Sequence, residues 1–189
     1  MRGMALRRSR THVMVLPLLM LLSMAATCGG SDPNLPGPSD VGPAARNAAT
    51  ASLLPTHVAE LPTFDVETYR RLLTQLRGTP VVVNIWAAWC GPCRAEASLL
   101  HGASQTYGDR VQFLGVDILD SLGGARGFIE EHGLAYPSIF DPSGAIRDSL
   151  AMIGQPVTIF YDAGGNVVST WEGQLSKDAL DEGIRAAVR

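Results

Sequence analysis

Apolar positions along the chain first fall into a repeating order at Val66. From there Val66, Tyr69, Leu72, Leu73 and Leu76 recur at helical spacing, and Gly78-Thr79-Pro80 ends the run. The next segment, Val81-Val82-Val83-Asn84-Ile85-Trp86, shows almost no polar alternation and is rich in β-branched residues. That is the pattern of a strand covered on both faces. Helix-compatible sequence follows from Cys90 to about Thr106, then a strand from Val111 to Val116, then a helix from Leu122 to His132 with Gly133 as its stop. Pro156 leads into Val157-Thr158-Ile159-Phe160-Tyr161, and after the turn Gly164-Gly165-Asn166 a second run extends from Val167 to Trp171. These two runs read as a hairpin. Ser176 caps a last helix that extends to about Val188. Strands alternating with helices, closed by a hairpin and a helix, predict an α/β domain over residues 59–189 with helices on both faces of its sheet.

Ahead of that domain the pattern changes twice. Arg2, Arg7, Arg8 and Arg10 precede an uncharged stretch from Val13 to Ala26, and small residues follow it. A basic start, a short apolar run and small residues are the marks of a secretory signal, here residues 1–27. From Gly29 to Ser52 there are four Pro, four Gly and five Ala and no aromatic residue. Such a segment cannot bury enough apolar surface to offset its ordering, so residues 28–58 read as a tether. Between signal and tether, Met24-Ala25-Ala26-Thr27-Cys28-Gly29-Gly30 resembles a bacterial lipoprotein cleavage box, in which Cys28 becomes the lipidated first residue. Ala25 stands where such boxes usually carry a branched aliphatic, and Thr27 where they carry Gly, Ala or Ser. Ordinary cleavage near Ala25 or Ala26 is the other reading.

At 189 residues, with 46% hydrophobic and 17% charged, the chain suits one domain with a sizeable core. The net charge of −3 conceals an asymmetry: beyond the first ten residues, 11 basic residues face 18 acidic ones. A surface of that sign has no footprint for nucleic acid. Membrane contact is expected through the N-terminus only.

The candidate chemistry is Trp89-Cys90-Gly91-Pro92-Cys93. A buried strand delivers the chain to a turn, and a helix begins at the first cysteine. The unpaired N–H groups and partial positive charge of a helix start favour a thiolate, so Cys90 is expected to be the nucleophile. Two intervening residues let Cys93 reach the Cys90 sulfur; Gly91 permits the tight turn, and Pro92 starts the helix without wasting a donor. The pair can then cycle between dithiol and disulfide through a mixed disulfide. Two other readings compete. A zinc site needs four ligands, and no second cysteine pair exists, while His57, His101 and His132 are scattered. A purely structural disulfide across two residues closes too small a loop to stabilise much. No metal or cofactor is implied.

The segment Val83-Asn84-Ile85-Trp86-Ala87-Ala88-Trp89-Cys90-Gly91-Pro92-Cys93-Arg94-Ala95-Glu96 is similar to the active-site segment of thioredoxin-like proteins. More narrowly it resembles the exported TlpA/ResA-type thiol-disulfide oxidoreductases. The likeness extends over about residues 60–189, through Gly115-Val116-Asp117, Tyr136-Pro137-Ser138, Phe140-Asp141-Pro142-Ser143-Gly144, Gln155-Pro156 and Asp162 to Asn166. It implies a thioredoxin fold with a central insertion between Cys93 and Pro156. It also implies Cys90 as attacking and Cys93 as resolving cysteine, and a cis Pro156 that presents the backbone of Gln155 to substrate. Val157 departs from the Thr usual after that proline. Asn84 stands where ordinary thioredoxins keep a buried acid, which leaves Glu96, three residues beyond Cys93, as the candidate proton acceptor. Trp86 is expected in the core, Trp89 as an apolar wall of the site, and His101 and His132 at the surface. The implied partners are protein thiol or disulfide substrates and a membrane redox protein that recycles the pair. Action as a reductant, for example of apocytochrome c cysteines, is the first expectation. An oxidant that installs disulfides and a non-catalytic thioredoxin-like binding domain are the alternatives. The Thr-x-x-Cys pattern of a peroxidase is absent.

Overall fold

Every residue of the Val81–Trp86 run is buried in the computed structural model, which describes residues 51–189. This strand, β1, lies in the middle of a five-stranded sheet with β2 (Gln112–Ile118), β3 (Ser138–Asp141), β4 (Val157–Tyr161) and β5 (Val167–Glu172). The order across the sheet is β3-β2-β1-β4-β5. β1 and β2 are parallel, as are β2 and β3, whereas β4 runs antiparallel to both β1 and β5. The mixed sheet follows from the connections: helices cross over between the parallel strands, and the tight turn Ala163–Asn166 closes the antiparallel hairpin.

Strand periodicity sorts the core into two layers. Val82, Trp86, Phe113 and Phe160 point to one face, packed with Cys93, Ala97 and Leu100 of α2 (Gly91–Tyr107). The same layer takes in Phe128 and Ile129 of α3 (Leu122–His132), and Leu180 and Ile184 of α5 (Lys177–Ala187). Val81, Val83, Ile85, Leu114, Val116 and Ile159 point to the opposite face, against Tyr69 and Leu72 of α1 (Val66–Gln75) and Ile146 of α4 (Ala145–Ser149). A sheet with helices on both faces explains why β1 reads as continuously apolar. Gly183 brings α5 close to the sheet, since a Cβ there would stand 2.4–2.5 Å from the Phe160 ring.

Helix ends follow their sequence signals. Asp65, Ser121 and Ser176 cap α1, α3 and α5 by accepting backbone N–H bonds, and Gly133 ends α3 in the left-handed region at φ 59°. Two elements go beyond the sequence pattern. β3 and α4 have four and five residues, too few for either periodicity to register. They lie between the cysteine pair and Pro156, in the expected central insertion; β3 forms a sheet edge that Thr63 touches through a single bridge to Phe140.

Two expectations are corrected. His101 and His132 are not surface residues: both are half-buried, and His132, four residues after Phe128 on α3, packs its ring 4.6 Å from the Phe128 ring. Leu53 and Leu54, which composition puts in the tether, pack against the core, and Gln75 exchanges hydrogen bonds with Leu53 and Ala51. The signal segment and Cys28 lie outside the described residues.

Candidate active site

β1 ends at Trp86, and four residues later Cys90 is the N-cap of α2. Its extended backbone (φ −82°, ψ 110°) turns the sulfur back over the helix start, where Sγ accepts the Cys93 N–H at 3.2 Å. Pro92 sits in the first helical turn, where its missing N–H costs nothing. Cys90 and Cys93 are disulfide-bonded, with Cα atoms 5.3 Å apart. Both cysteines are buried, whereas Gly91 and Pro92 between them are exposed.

The walls come from three distant segments. The Gln155–Pro156 bond is cis, and the Gln155 carbonyl lies 3.8 Å from Cys90 Sγ. The Gln155 side chain is held from the other side by Arg147, whose Nη1 donates to Oε1 at 3.4 Å. Trp89, 58% exposed, donates its indole N–H to the Leu119 carbonyl at 3.0 Å. Leu119 itself is exposed and adopts a left-handed φ of 53°.

Ala88, the residue before Trp89, is held through both of its backbone groups. Ala88 N–H donates to Asp120 Oδ2 at 2.6 Å, and the Ala88 carbonyl accepts from Arg94 Nη1 at 3.3 Å. Arg94 is also ion-paired with Glu131 of α3. The loop carrying Cys90 is thus fixed by α2, α3 and the segment just after β2.

Glu96 is not a solvated helix residue: it is 1% exposed. Its Oε1 accepts from Asn84 Nδ2 at 2.8 Å and its Oε2 from the Leu175 N–H at 2.6 Å. Asn84 also donates to Thr158 Oγ1 at 3.2 Å. Burial raises the Glu96 carboxyl above the usual carboxylate range, and the Leu175 and Asn84 hydrogen bonds pull it part of the way back. A carboxyl raised by burial and placed one helical turn from Cys93 suits proton exchange with it.

A second carboxyl lies behind the site. Asp117 pairs in register with Trp86 and is fully buried. Its carboxyl is pushed up to about 8, chiefly by burial and further by neighbouring Asp120. In the unfolded chain it ionises near pH 4. Stability should therefore fall as pH rises from about 4 to about 8 and level off above that, as the folded state withholds an ionisation the unfolded chain allows. We expect a higher urea midpoint at pH 5 than at pH 8, and a narrower gap in Asp117→Asn. An unchanged gap would mean that Asp117 is already ionised in the fold.

Sequence reasoning placed Cys90, Cys93, Trp89, Gly91, Pro92, Glu96, Gln155 and Pro156, and the fold assembles them at one end of the sheet. It missed Asp117, Asp120 and Leu175. Asp120 had a local signal, an acid directly before the Ser121 cap; Leu175 had none, because it acts through its backbone.

Reversible exchange of a vicinal cysteine pair with an outside thiol is the chemistry this arrangement performs, and the scaffold is the thioredoxin fold. The chain is a thiol-disulfide oxidoreductase. The AhpC/TSA family model matches residues 56–170, and the chain belongs to that family. It is 30% identical over 175 residues to the thiol:disulfide interchange protein HelX of Rhodobacter capsulatus, covering 91% of this chain and 93% of that protein. It is 25% identical over 130 residues to the thiol-disulfide oxidoreductase ResA of Bacillus thuringiensis, covering 67% of this chain and 75% of that one. Among solved structures, a secreted Mycobacterium tuberculosis disulfide oxidoreductase homologous to Escherichia coli DsbE superposes with a TM-score of 0.55. The two are 27% identical, with 60% of this chain and 85% of that one covered.

Proposed function

We propose that the enzyme acts outside the cytoplasm as a reductant of protein disulfides, with cysteines such as those of apocytochrome c as substrates. Cys90 thiolate attacks one sulfur of the substrate disulfide; the Cys90–substrate bond forms, and the other substrate sulfur leaves as a thiolate that takes up a proton. Cys93 then passes its proton to Glu96 and attacks Cys90 Sγ. The Cys90–Cys93 bond forms, the second substrate thiolate departs, and substrate has gained the two electrons the enzyme has lost. A membrane redox protein returns them. Trp89, Gly91, Pro92, Gln155 and Pro156 form the surface on which the substrate strand lies.

The observation that carries the direction is how little stabilises a Cys90 thiolate. It has the helix start and the Cys93 N–H, whereas Arg94 is spent on Glu131 and the Ala88 carbonyl, and Arg147 on Asp148 and the Gln155 side chain. A strong oxidant depends on a stabilised reduced form. Equilibration with a glutathione series should therefore give a potential nearer the roughly −270 mV of thioredoxin than the roughly −120 mV of a strong oxidant. A value at the oxidising end would reverse the assignment.

The arginine-led apolar segment and Cys28 support export followed by anchoring of the protein to a membrane through lipidated Cys28. Expressed in a bacterial cell, the protein should partition into a detergent phase, and Cys28→Ala should release it to the aqueous phase or block its processing. Wild-type protein found wholly in the aqueous phase would remove the anchor.

A further inference from the structure

The strap between β5 and α5 touches two parts of the site at once. Gly173, at φ 90°, donates its N–H to the Pro156 carbonyl at 2.9 Å. Two residues on, the Gln174–Leu175 peptide is bound at both ends: its N–H donates to Glu96 Oε2 at 2.6 Å, and its carbonyl accepts the Trp171 indole N–H at 3.1 Å. One peptide plane therefore joins a half-exposed tryptophan to a buried carboxylate. The indole stands on the same sheet face as Glu96, because Trp171 pairs in register with Thr158, and Thr158 with Asn84. Hydrogen bonds arranged in series polarise one another, so a donor on the carbonyl strengthens the N–H as a donor on the far side.

We propose that Trp171 is a positioning residue for Glu96. Its indole pins the 173–175 strap so that the Leu175 N–H stays aimed at Oε2, which holds the carboxylate ionised against its burial. The inference rests on the reading of Glu96 as proton acceptor for Cys93. Trp171 itself touches no reacting atom. The other groups around Glu96 are few. Asn84 of β1 donates to it, Cys93 lies one turn back on α2, and the phenol of buried Tyr136 feels its charge. Asp117 of β2 shares the sheet face, and Lys177 of α5 is paired with Asp181.

The experiment uses the full chain with both cysteines reduced. The Glu96 carboxyl carbon is followed by NMR across pH, beside the rate at which Cys93 resolves a mixed disulfide on Cys90. In Trp171→Phe, which keeps an aromatic ring and loses the N–H, the Glu96 titration should move to higher pH. Resolution at pH 6 should slow about two- to fivefold, with Cys90 alkylation unchanged. In a Glu96→Gln background, Trp171→Phe should add nothing to the slowing. Should the Phe variant fold poorly, benzothienylalanine at position 171 keeps the shape of the indole and replaces its N–H by sulfur. An unmoved Glu96 titration in a folded N–H-lacking protein overturns the proposal. If the titration moves but Glu96→Gln resolves the mixed disulfide at the wild-type rate, Trp171 still positions Glu96 and it is the base role of Glu96 that fails.

Discussion

Cys90→Ser is expected to lose insulin reduction altogether, and Cys93→Ser to stop after a single half-reaction with substrate trapped on Cys90. The asymmetry follows from position. Cys90 is the N-cap, and its sulfur already accepts the Cys93 N–H; on reduction the same amide and the helix start favour its thiolate. A serine hydroxyl in that place, with a far higher pKa, is no nucleophile toward a disulfide at neutral pH. Cys93 lies inside the first turn and gains less from the helix start, so Cys90 attacks first and Cys93 acts on the bond Cys90 has made. The measurement is turnover with dithiothreitol as electron source, beside a non-reducing gel for trapped adducts. Equal turnover by Cys90→Ser and wild type would overturn the assignment of the nucleophile.

Glu96→Gln should slow release of the mixed disulfide by about tenfold or more, below the roughly 10²–10⁴ typical of a positioned general base because thiol exchange needs less proton removal. Cys90 alkylation should barely change, since the first attack does not use the carboxylate. The substitution also has a structural cost. Glu96 accepts from two donors, Asn84 Nδ2 and the Leu175 N–H, through different oxygens. A glutamine has one acceptor oxygen and would turn its own N–H₂ toward a donor, costing about 1–3 kcal/mol for the unpaired buried group. Kinetics and stability must therefore be read together, with Glu96→Asp as a partner that keeps the charge. Resolution at the wild-type rate from pH 6 to 8 in a folded Glu96→Gln protein would leave Glu96 with a structural role only.

Much of this site was legible because its principal residues are local. The run Val81–Trp86 marks a central strand, and a cysteine placed four residues after it, before Gly-Pro, marks the start of a helix. What sequence could not supply are contacts set by sheet register. Asp120 meets Ala88 only because β2 lies beside β1, and Leu175 meets Glu96 only because the strap after β5 folds back across α2. The burial of Asp117 was hidden for the same reason: a carboxylate at a strand end ordinarily signals a turn. β3 was missed because Ser138-Ile139-Phe140-Asp141 is too short to carry a period. Trp171 read simply as a strand residue, since its importance lies in the carbonyl of Gln174.

The 79 residues separating Glu96 from Leu175 give the enzyme a schedule as well as a shape. A ribosome adding roughly 5–20 residues per second needs about 4–16 s to make that stretch. Throughout that interval the newborn chain holds both cysteines but lacks the strap that completes the carboxylate's surroundings, and for most of it lacks Pro156 as well. Such an unfinished chain is a pair of thiols without a partner surface, open to pairing with any sulfur it meets. Sequestration of the pair becomes complete only when nearly the whole polypeptide has been delivered, so a chain truncated before Leu175 retains its thiols without the arrangement that disciplines them.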